Sequence, residues 1–465
     1  MIHLSLDDIA QVTRGTLHNT PDPAKQVTGP LSFDSRTVHA GSLFACLKGR
    51  TLDGHDFAAQ AVADGAIAVL ADRPVNAPAI VVPDVLEAMR QIAHAIAAEY
   101  TGTVIAITGS AGKTSTKDIL QTVLALDGPT VANTRSFNNE IGFPVTVSRV
   151  EQTSRYLLLE MGARGKGHIS ALCDTVRPRI ATVLGVGSAH IGEFGSRQAI
   201  AAAKAEIVCN LPEYGVAVLN ADDPLVAPMA RETTARVLTF GTGDACDVRA
   251  VDISTTAHGH PTFVLQHAGR TASVELAHIY GRHNVTNAVA AAATAIAAGI
   301  PLDRIVRGLE HATLASGGRM EVTTRPHDGV TVINDAFNAS PESVLAALDA
   351  LADIAGPTRR RIAVLGEMAE LGDEAALWHD KVARAVISHR VHHTIGIGGP
   401  HTQQLIITIR DSGLDATGVD PANDLARQID THLRPGDVVL VKGANALGLE
   451  TVARELAAMR VQRDA

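Results

Sequence analysis

Cysteine is scarce: a chain of 465 residues has four. Cys46, Cys173, Cys209 and Cys246 lie far apart and form no C-x-x-C pair, which argues against a zinc site or disulfide framework and predicts buried, reduced thiols. Basic blocks are missing as well. The net charge is −9, and no run of lysine and arginine offers a footprint for nucleic acid or an anionic membrane. No uninterrupted apolar segment is long enough to span a bilayer, and the opening MIHLSLDDIAQVTRG lacks the basic-then-apolar layout of a signal peptide, so a cytoplasmic location is expected. Aromatic residues contribute only 3% against 46% hydrophobic, describing a globular chain rich in alanine and glycine. Internal repeats and low-complexity linkers are absent too. The length excludes one ordinary core: at about 100 to 200 residues per domain, three are expected.

What is present alternates strand-like and helical runs. Residues 1–82 carry FAAQAVADG, AIAVL and AIVV, the pattern of a small α/β unit. Residues 83–315 open with a helix ending near Tyr100 and continue through TVIAIT, YLLLE, IATVLGV and GVAVLN to a last helix at HNVTNAVAAAATAIAA, stopped by Gly299 and Pro301. Residues 316–465 repeat the alternation with TVIND, RIAVLG, HTIGIG and DVVLVKG. Strands alternating with helices predict mostly parallel sheets covered on both faces, with ligands beyond the carboxyl ends of the strands.

One such strand end is explicit. In ITGSAGKTSTKD an apolar strand meets a helix at Gly109, Ser110, Ala111, Gly112 and Lys113, followed by Thr114 and Ser115. Glycines let the backbone approach phosphate oxygens, free N–H groups and the helix dipole hold them, Lys113 adds charge, and the Thr114 hydroxyl suits Mg²⁺. The full G-x-x-x-x-G-K-[ST] pattern fails, because Ile107 occupies the first glycine position. Other strand ends lead to Glu160, to His190 and to the pair Asp222 and Asp223, each able to share a divalent metal with a nucleotide. Each also has a plain alternative as a helix cap, a loop histidine or a turn. Lys204, inside the helical pattern AIAAAKAEI, reads as a solvated surface lysine.

A resemblance adds to this reading. Residues 33–57, TGSAGKTST, NTRSFNNEIGFP, LLLEMGA, SAHIGEFGS with AAAKAEI behind it, LNADDP, GRHNVTNAVAA and GGRMEV follow in the order of the Mur ligases, which act on UDP-muramoyl peptides. The resemblance covers nearly the whole chain. It implies a small N-terminal α/β UDP-binding domain, a central P-loop ATPase-like parallel-sheet domain and a C-terminal Rossmann-like domain. INDAFNASPESVLAAL and AVLGEMAELGDEAALWHDKV resemble the member that adds D-alanyl-D-alanine to a UDP-N-acetylmuramoyl-tripeptide; the D-N-P-R of the diaminopimelate- and lysine-adding members is absent.

The resemblance also implies roles. ATP phosphorylates the peptide carboxylate and the incoming amine attacks the acyl phosphate. Lys113 would meet the phosphates; Thr114, Glu160, His190 and Lys204 would face Mg²⁺, with Lys204 converted by CO₂ to a carbamate. His283 and Asn284 would lie at the adenine, although Asn284 is equally an N-cap for the Ala-rich helix. Arg319 and Asp335, on another domain from Lys113, would meet phosphate and ribose, so a complete ATP site requires closure. Ser35, Arg36, Lys48 and His55 would hold the UDP end, Thr134, Asn138 and Asn139 other parts of the substrate, and Phe337, Asn338 and Ser340 the dipeptide amine. A monomer is expected. Two departures stand out: N-A-S-P where N-A-N-P is typical, and Ala444-Asn445 where the family commonly has Ser-Arg; losing the arginine would remove a dipeptide-carboxylate contact and weaken D-alanyl-D-alanine use, the alternative being that the neighbouring Lys442 takes the carboxylate over. They keep one rival open, a Mur-type ligase taking another dipeptide or amine in self-resistance or specialised metabolism; a rival of another class, a silent scaffold that retained its UDP and ATP pockets, is opposed by the intact Lys113, Glu160, His190 and Lys204.

Overall fold

The computed structural model describes residues 1–49, 51–134, 138–420 and 424–459. Arg50, in the expected UDP loop, and residues 135–137 of NTRSFNNEIGFP lie outside the described residues. Among the described residues three large sheets follow one another along the chain, each covered by helices, in three α/β domains, and a fourth, two-stranded antiparallel pair joins Leu4–Ser5 to Gln26–Val27 in the first.

The first sheet has five strands, in the order Thr16–His18, Ala79–Val81, Ala68–Ala71, Leu43–Ala45 and Leu31–Ser32; all but the first pairing are parallel. Helix Val85–Glu99 joins this unit to the next. It packs on helix Leu6–Thr13 and strand Ala68–Ala71 on one side and on helices Gly142–Val147 and His168–Thr175 on the other. Its Ala88, Met89, Ile92, Ala93 and Ile96 recur at helical spacing and are buried, which is why a sequence with few aromatics still seals this junction.

The central sheet has nine strands. Thr103–Thr108 lies between Tyr156–Glu160 and Ile180–Val183, with Thr130–Ala132 beyond the former and Val216–Asn220, Arg236–Gly241 and Val248–Thr255 beyond the latter, all parallel. The chain builds outward on one side of Thr103–Thr108 and then on the other, so its carboxyl end is a switch point, where open parallel sheets hold ligands. The expectation of a mostly parallel sheet needs one addition: Pro261–His267 and Arg270–Glu275 extend it as an antiparallel hairpin. The alternation there leaves Phe263, Leu265 and Val274 buried between more exposed neighbours. Nor is the Ala-rich helix, His283–Ala297, the last of this unit; Leu302–Glu310 follows, begun after Pro301 and packed on helix Lys113–Ala125.

The third sheet runs Glu321–Thr324, Thr331–Asn334, Val438–Lys442, Arg361–Gly366, His393–Ile397 and Asp415–Val419; only its first pairing is antiparallel. No helix among the described residues is long and apolar enough to cross a membrane. The thiols depart from expectation. Cys46 and Cys173 are buried and pushed up to about 12 by that burial, but Cys209 is exposed and Cys246 half-buried. All four are free. Cys209 ends the helix Arg197–Cys209 and Cys246 lies in a loop, where little packs over either.

Candidate functional site

The loop after Thr103–Thr108 turns into helix Lys113–Ala125 through Gly112, whose φ of +80° is left-handed. A Cβ on Gly112 would sit 2.3 Å from Asn287 Oδ1. Glycine is therefore required twice, for conformation and for clearance. Gly112→Ala is expected to lose nucleotide binding and about 1 kcal/mol or more of stability; isothermal titration with ADP and thermal melting check both, and unchanged ADP affinity would remove this loop from the site.

Lys113 opens the helix and turns its Nζ back to the Gly109 carbonyl at 2.7 Å. Burial lowers its pKa, Glu160 opposes that shift and Arg319 adds to it. Thr114, also buried, donates its hydroxyl to Glu160 Oε2 at 2.8 Å, and Asn138 Nδ2 donates to Glu160 Oε1 at 2.7 Å. Arg319, from the third domain, donates from Nη2 to Thr114 Oγ1 at 3.1 Å and lays its guanidinium over the Phe337 ring at 3.8 Å. Burial lowers its pKa, with Glu160 the largest opposing charge. Phosphate loop, Glu160 and third domain thus meet at one point.

Lys204 corrects the surface reading. Its helix, Arg197–Cys209, buries one face against the central sheet, and Lys204 is on that face at 6% exposure. Burial holds its pKa well below the usual lysine range, and the Lys113 cation lowers it further. His190 sits at a left-handed φ of +62° and presents Nδ1 to the Glu370 carboxylate of the third domain. Of the Asp pair, Asp222 accepts from the backbone of Thr242 and Gly243, while Asp223 accepts from Val186 N at 2.7 Å; both fasten loops.

Asn284 is not the N-cap expected of it. That position belongs to Arg282, and Asn284 lies inside the first turn, fully buried, donating to the Tyr280 carbonyl and accepting from Asn287 Nδ2, both at 2.8 Å. Asn287 in turn accepts from Thr116 Oγ1 at 3.3 Å, so an amide chain joins this helix to the phosphate helix. Burial lowers the pKa of the adjacent His283. Asp335 accepts from Met320 N at 3.1 Å and from Lys442 Nζ at 2.5 Å. Lys442 also donates to the carbonyls of Asp335 and Asn338, which uses all three of its hydrogens. It is thus no spare base for a dipeptide carboxylate, which removes the alternative in which it replaces the missing arginine. Ser340 is the N-cap of helix Pro341–Ala355, and Asn445 Nδ2 donates to the Phe337 carbonyl at 3.0 Å.

A cavity of about 1480 Å³ gathers most of these groups. The phosphate loop from Gly109 to Ser115, Asn138, Asn139, Glu160, His190, Lys204, His283, Asn284, Arg319, Asp335, Phe337, Asn338 and Ser340 all line it. Five expected substrate residues do not. Ser35 lies in the turn Ser35–Thr37, and Arg36 beside it is exposed and forks onto Asp34. Lys48 is exposed, and His55 is buried between Asp53 and Asp72. Thr134 accepts from Arg149. Sequence reasoning overlooked Asn287, Glu342 and Glu370. Asn287 follows Asn284 by three positions, the spacing that puts both on one helix face. Glu342 lies in the first turn of Pro341–Ala355 and receives Ser188 N at 2.8 Å across the domain boundary.

A glycine loop at a sheet switch point, a hydroxyl and carboxylate beside it, and an arginine supplied by a separate domain define an α/β enzyme that handles a nucleotide between domains. The comparisons agree and narrow the class. Residues 30–108 match the Mur ligase family catalytic domain, 107–295 the Mur ligase middle domain and 318–445 the Mur ligase glutamate ligase domain. The UDP-N-acetylmuramoyl-tripeptide–D-alanyl-D-alanine ligase of Mycobacterium tuberculosis (strain ATCC 25618 / H37Rv) is 44% identical, with 98% of each chain covered. The enzyme of that name from Escherichia coli (strain K12) is 32% identical over 98% of this chain and 99% of its own. Among solved structures, MurF from Acinetobacter baumannii superimposes with a TM-score of 0.85 at 29% identity, covering 98% of this chain and 99% of its own. MurF ligase from Thermotoga maritima, in complex with ADP, does so with a TM-score of 0.78 at 27% identity, covering 93% and 97%. The chain belongs to the Mur ligase family.

Proposed function

We propose that this chain is an ATP-dependent ligase that joins D-alanyl-D-alanine to UDP-N-acetylmuramoyl-tripeptide, the last amino-acid addition to the soluble peptidoglycan precursor, in the cytoplasm. The observation that carries the reading is Arg319 on Thr114: a group of the third domain reaches the phosphate loop of the second within one cavity. The nearly full-length match to ligases of that name supports the same reading. Domain limits of 1–82, 83–315 and 316–465 serve it, with helix Val85–Glu99 as the first joint.

The tripeptide carboxylate oxygen attacks the γ-phosphorus, the bond to the bridging oxygen breaks and ADP leaves. The dipeptide ammonium gives up a proton, the amine nitrogen attacks the acyl carbon, and the tetrahedral intermediate loses a second proton from nitrogen and expels phosphate with the C–O electron pair. Little covalent work falls to the protein, which aligns the groups and spreads phosphoryl charge. Lys113 and the N–H groups of the Gly109–Gly112 loop meet the transferred phosphate, and Arg319 meets it from the opposite domain.

The residues fit a Mg²⁺ ion, which supplies charge neutralisation at the phosphates when bound. Thr114 Oγ1 and Glu160 are a hydroxyl and a carboxylate in mutual contact, and the imidazole of His190 lines the same cavity. No cluster of three or more His, Cys, Asp or Glu side chains suited to a metal occurs among the described residues, as expected where substrate phosphates and water complete the shell. Lys204 joins this set as a carbamate. His283 and Asn284 flank the adenine and Asp335 the ribose. Ser35, Arg36, Lys48 and His55 hold the UDP end outside the cavity, while Thr134, Asn138 and Asn139 steady the peptide side. Phe337, Asn338 and Ser340 receive the dipeptide.

Ser340 occupies the N-cap position of Pro341–Ala355, with its backbone tied to Ser343, and Asn445 ties a loop, so the two sequence departures do not require another acceptor. Phosphate release is the test, run with tripeptides ending in diaminopimelate and in lysine against a panel of dipeptides. D-alanyl-D-alanine is expected to give the highest kcat/KM with at least one tripeptide; release driven best by another amine would replace the acceptor, and no amine-dependent release would leave only a binding scaffold.

A further inference from the structure

The loop that carries His190 is gripped by the third domain. Gly192 N donates to the Glu370 carbonyl at 3.0 Å, and a Cβ on Gly372 would lie 3.1 Å from Gly192 Cα. At that separation two glycines let the backbones meet. Glu370 shares the left-handed backbone of His190, with φ +62°, and brings its carboxylate against His190 Nδ1 as an ion pair, off the line of a ring hydrogen bond. The Glu370 loop is itself braced: buried His379 accepts from Met368 N at 3.2 Å and hydrogen-bonds the Ala375 carbonyl through Nδ1 at 2.7 Å. An exposed acid pairing by chance with an exposed histidine would need none of this backbone support.

We propose that Glu370 is a positioning residue for the metal: supplied by the third domain, its carboxylate beside Nδ1 orients the ring of His190, which lines the same cavity as the phosphate loop. A metal-binding histidine commonly has its other ring nitrogen held by a carboxylate, which sets tautomer and orientation, and removing such a partner typically lowers metal affinity. Here the partner arrives from a different domain, so the metal site is complete only when the third domain lies against the second. The inference rests on the metal role of His190 given above.

Mn²⁺ binding to the full chain in the presence of ADP, followed by electron paramagnetic resonance of free Mn²⁺, tests it. Glu370→Ala is expected to weaken Mn²⁺ about tenfold, with ADP affinity in chelator unchanged and Glu370→Gln retaining most of the binding. Glu370→Gly removes the same carboxylate without straining the left-handed backbone, and is read in the same way if the alanine variant does not fold. In a His190→Ala background the Glu370 effect should vanish. Mn²⁺ affinity unchanged on removing the Glu370 carboxylate, while His190→Ala weakens it, overturns the inference alone; so does a Glu370 effect that persists undiminished without His190. If His190→Ala binds Mn²⁺ like wild type, the metal role of His190 falls and the inference with it.

Discussion

Lys113→Ala is expected to lower turnover on the order of 10³-fold, the scale of losing one preorganised charge or donor at a transferring group, while the protein still folds. The side chain contributes one hydrogen bond, to the Gly109 carbonyl, whose loss costs about 0.5 to 1.5 kcal/mol. Against that loss, the cation is held in a buried place that lowers its pKa, and removing it relieves that burial and its repulsion with Arg319. The two effects on stability oppose one another, whereas the effect on phosphoryl transfer has no counterpart. Melting temperature and amine-dependent phosphate release should be measured on the same preparation. A variant that melts like wild type and turns over at the wild-type rate would remove Lys113 from the chemistry.

The α/β alternation, the three-domain plan and the family were legible because they rest on local signals: apolar strands of the right length, Gly112 before Lys113, and motifs in a fixed order. The strands Pro261–His267 and Arg270–Glu275 were not, since a solvated antiparallel hairpin alternates polar and apolar residues and has no long apolar run. Helix Leu302–Glu310 was hidden by Gly299 and Pro301, which stop one helix and also start the next. In the candidate site, Lys113, Glu160 and His190 end strands or open helices, and strand ends are where a sequence reader looks. Lys204 was misread from its surroundings because a lysine inside a helix has no local mark of burial; only the packing of Arg197–Cys209 on the sheet puts it inside. Asn284 was read as a cap because asparagine favours that position, but the helix begins at His283 and tertiary hydrogen bonds claim the side chain. Glu342 and Glu370 act across a domain boundary, at sequence separations of 154 and 180 from Ser188 and His190, and no periodicity reports such a pairing.

Lys204→Ala is expected to be almost inactive, with a loss of about 10² to 10³-fold, and to recover part of its rate with added acetate or another short carboxylate. The reason begins with burial. At 6% exposure and with a second cation, Lys113, acting on it, Lys204 is pressed toward its neutral form. Because its folded pKa is depressed, the unfolded chain binds more protons between the folded value and the ordinary lysine range, so an unmodified Lys204 costs stability at neutral pH and the loss diminishes as pH rises. A neutral amine is also the form that adds to CO₂: the N–C bond forms, a proton leaves, and the product is a carbamate anion. That conversion would turn the repulsion with Lys113 into attraction and add two oxygens to the cavity that Thr114 and Glu160 also line, where they would suit a Mg²⁺ ion. Bicarbonate should therefore raise the melting temperature of the wild-type protein in the presence of Mg²⁺ and ADP and leave that of Lys204→Ala unchanged, a readout independent of turnover. The carboxylate rescue should saturate and should be absent in the wild-type enzyme, whose space is already filled. Full activity of Lys204→Ala in CO₂-free buffer would show that the buried amine is a packing residue, and an equal bicarbonate effect on both melting temperatures would show that the anion binds elsewhere.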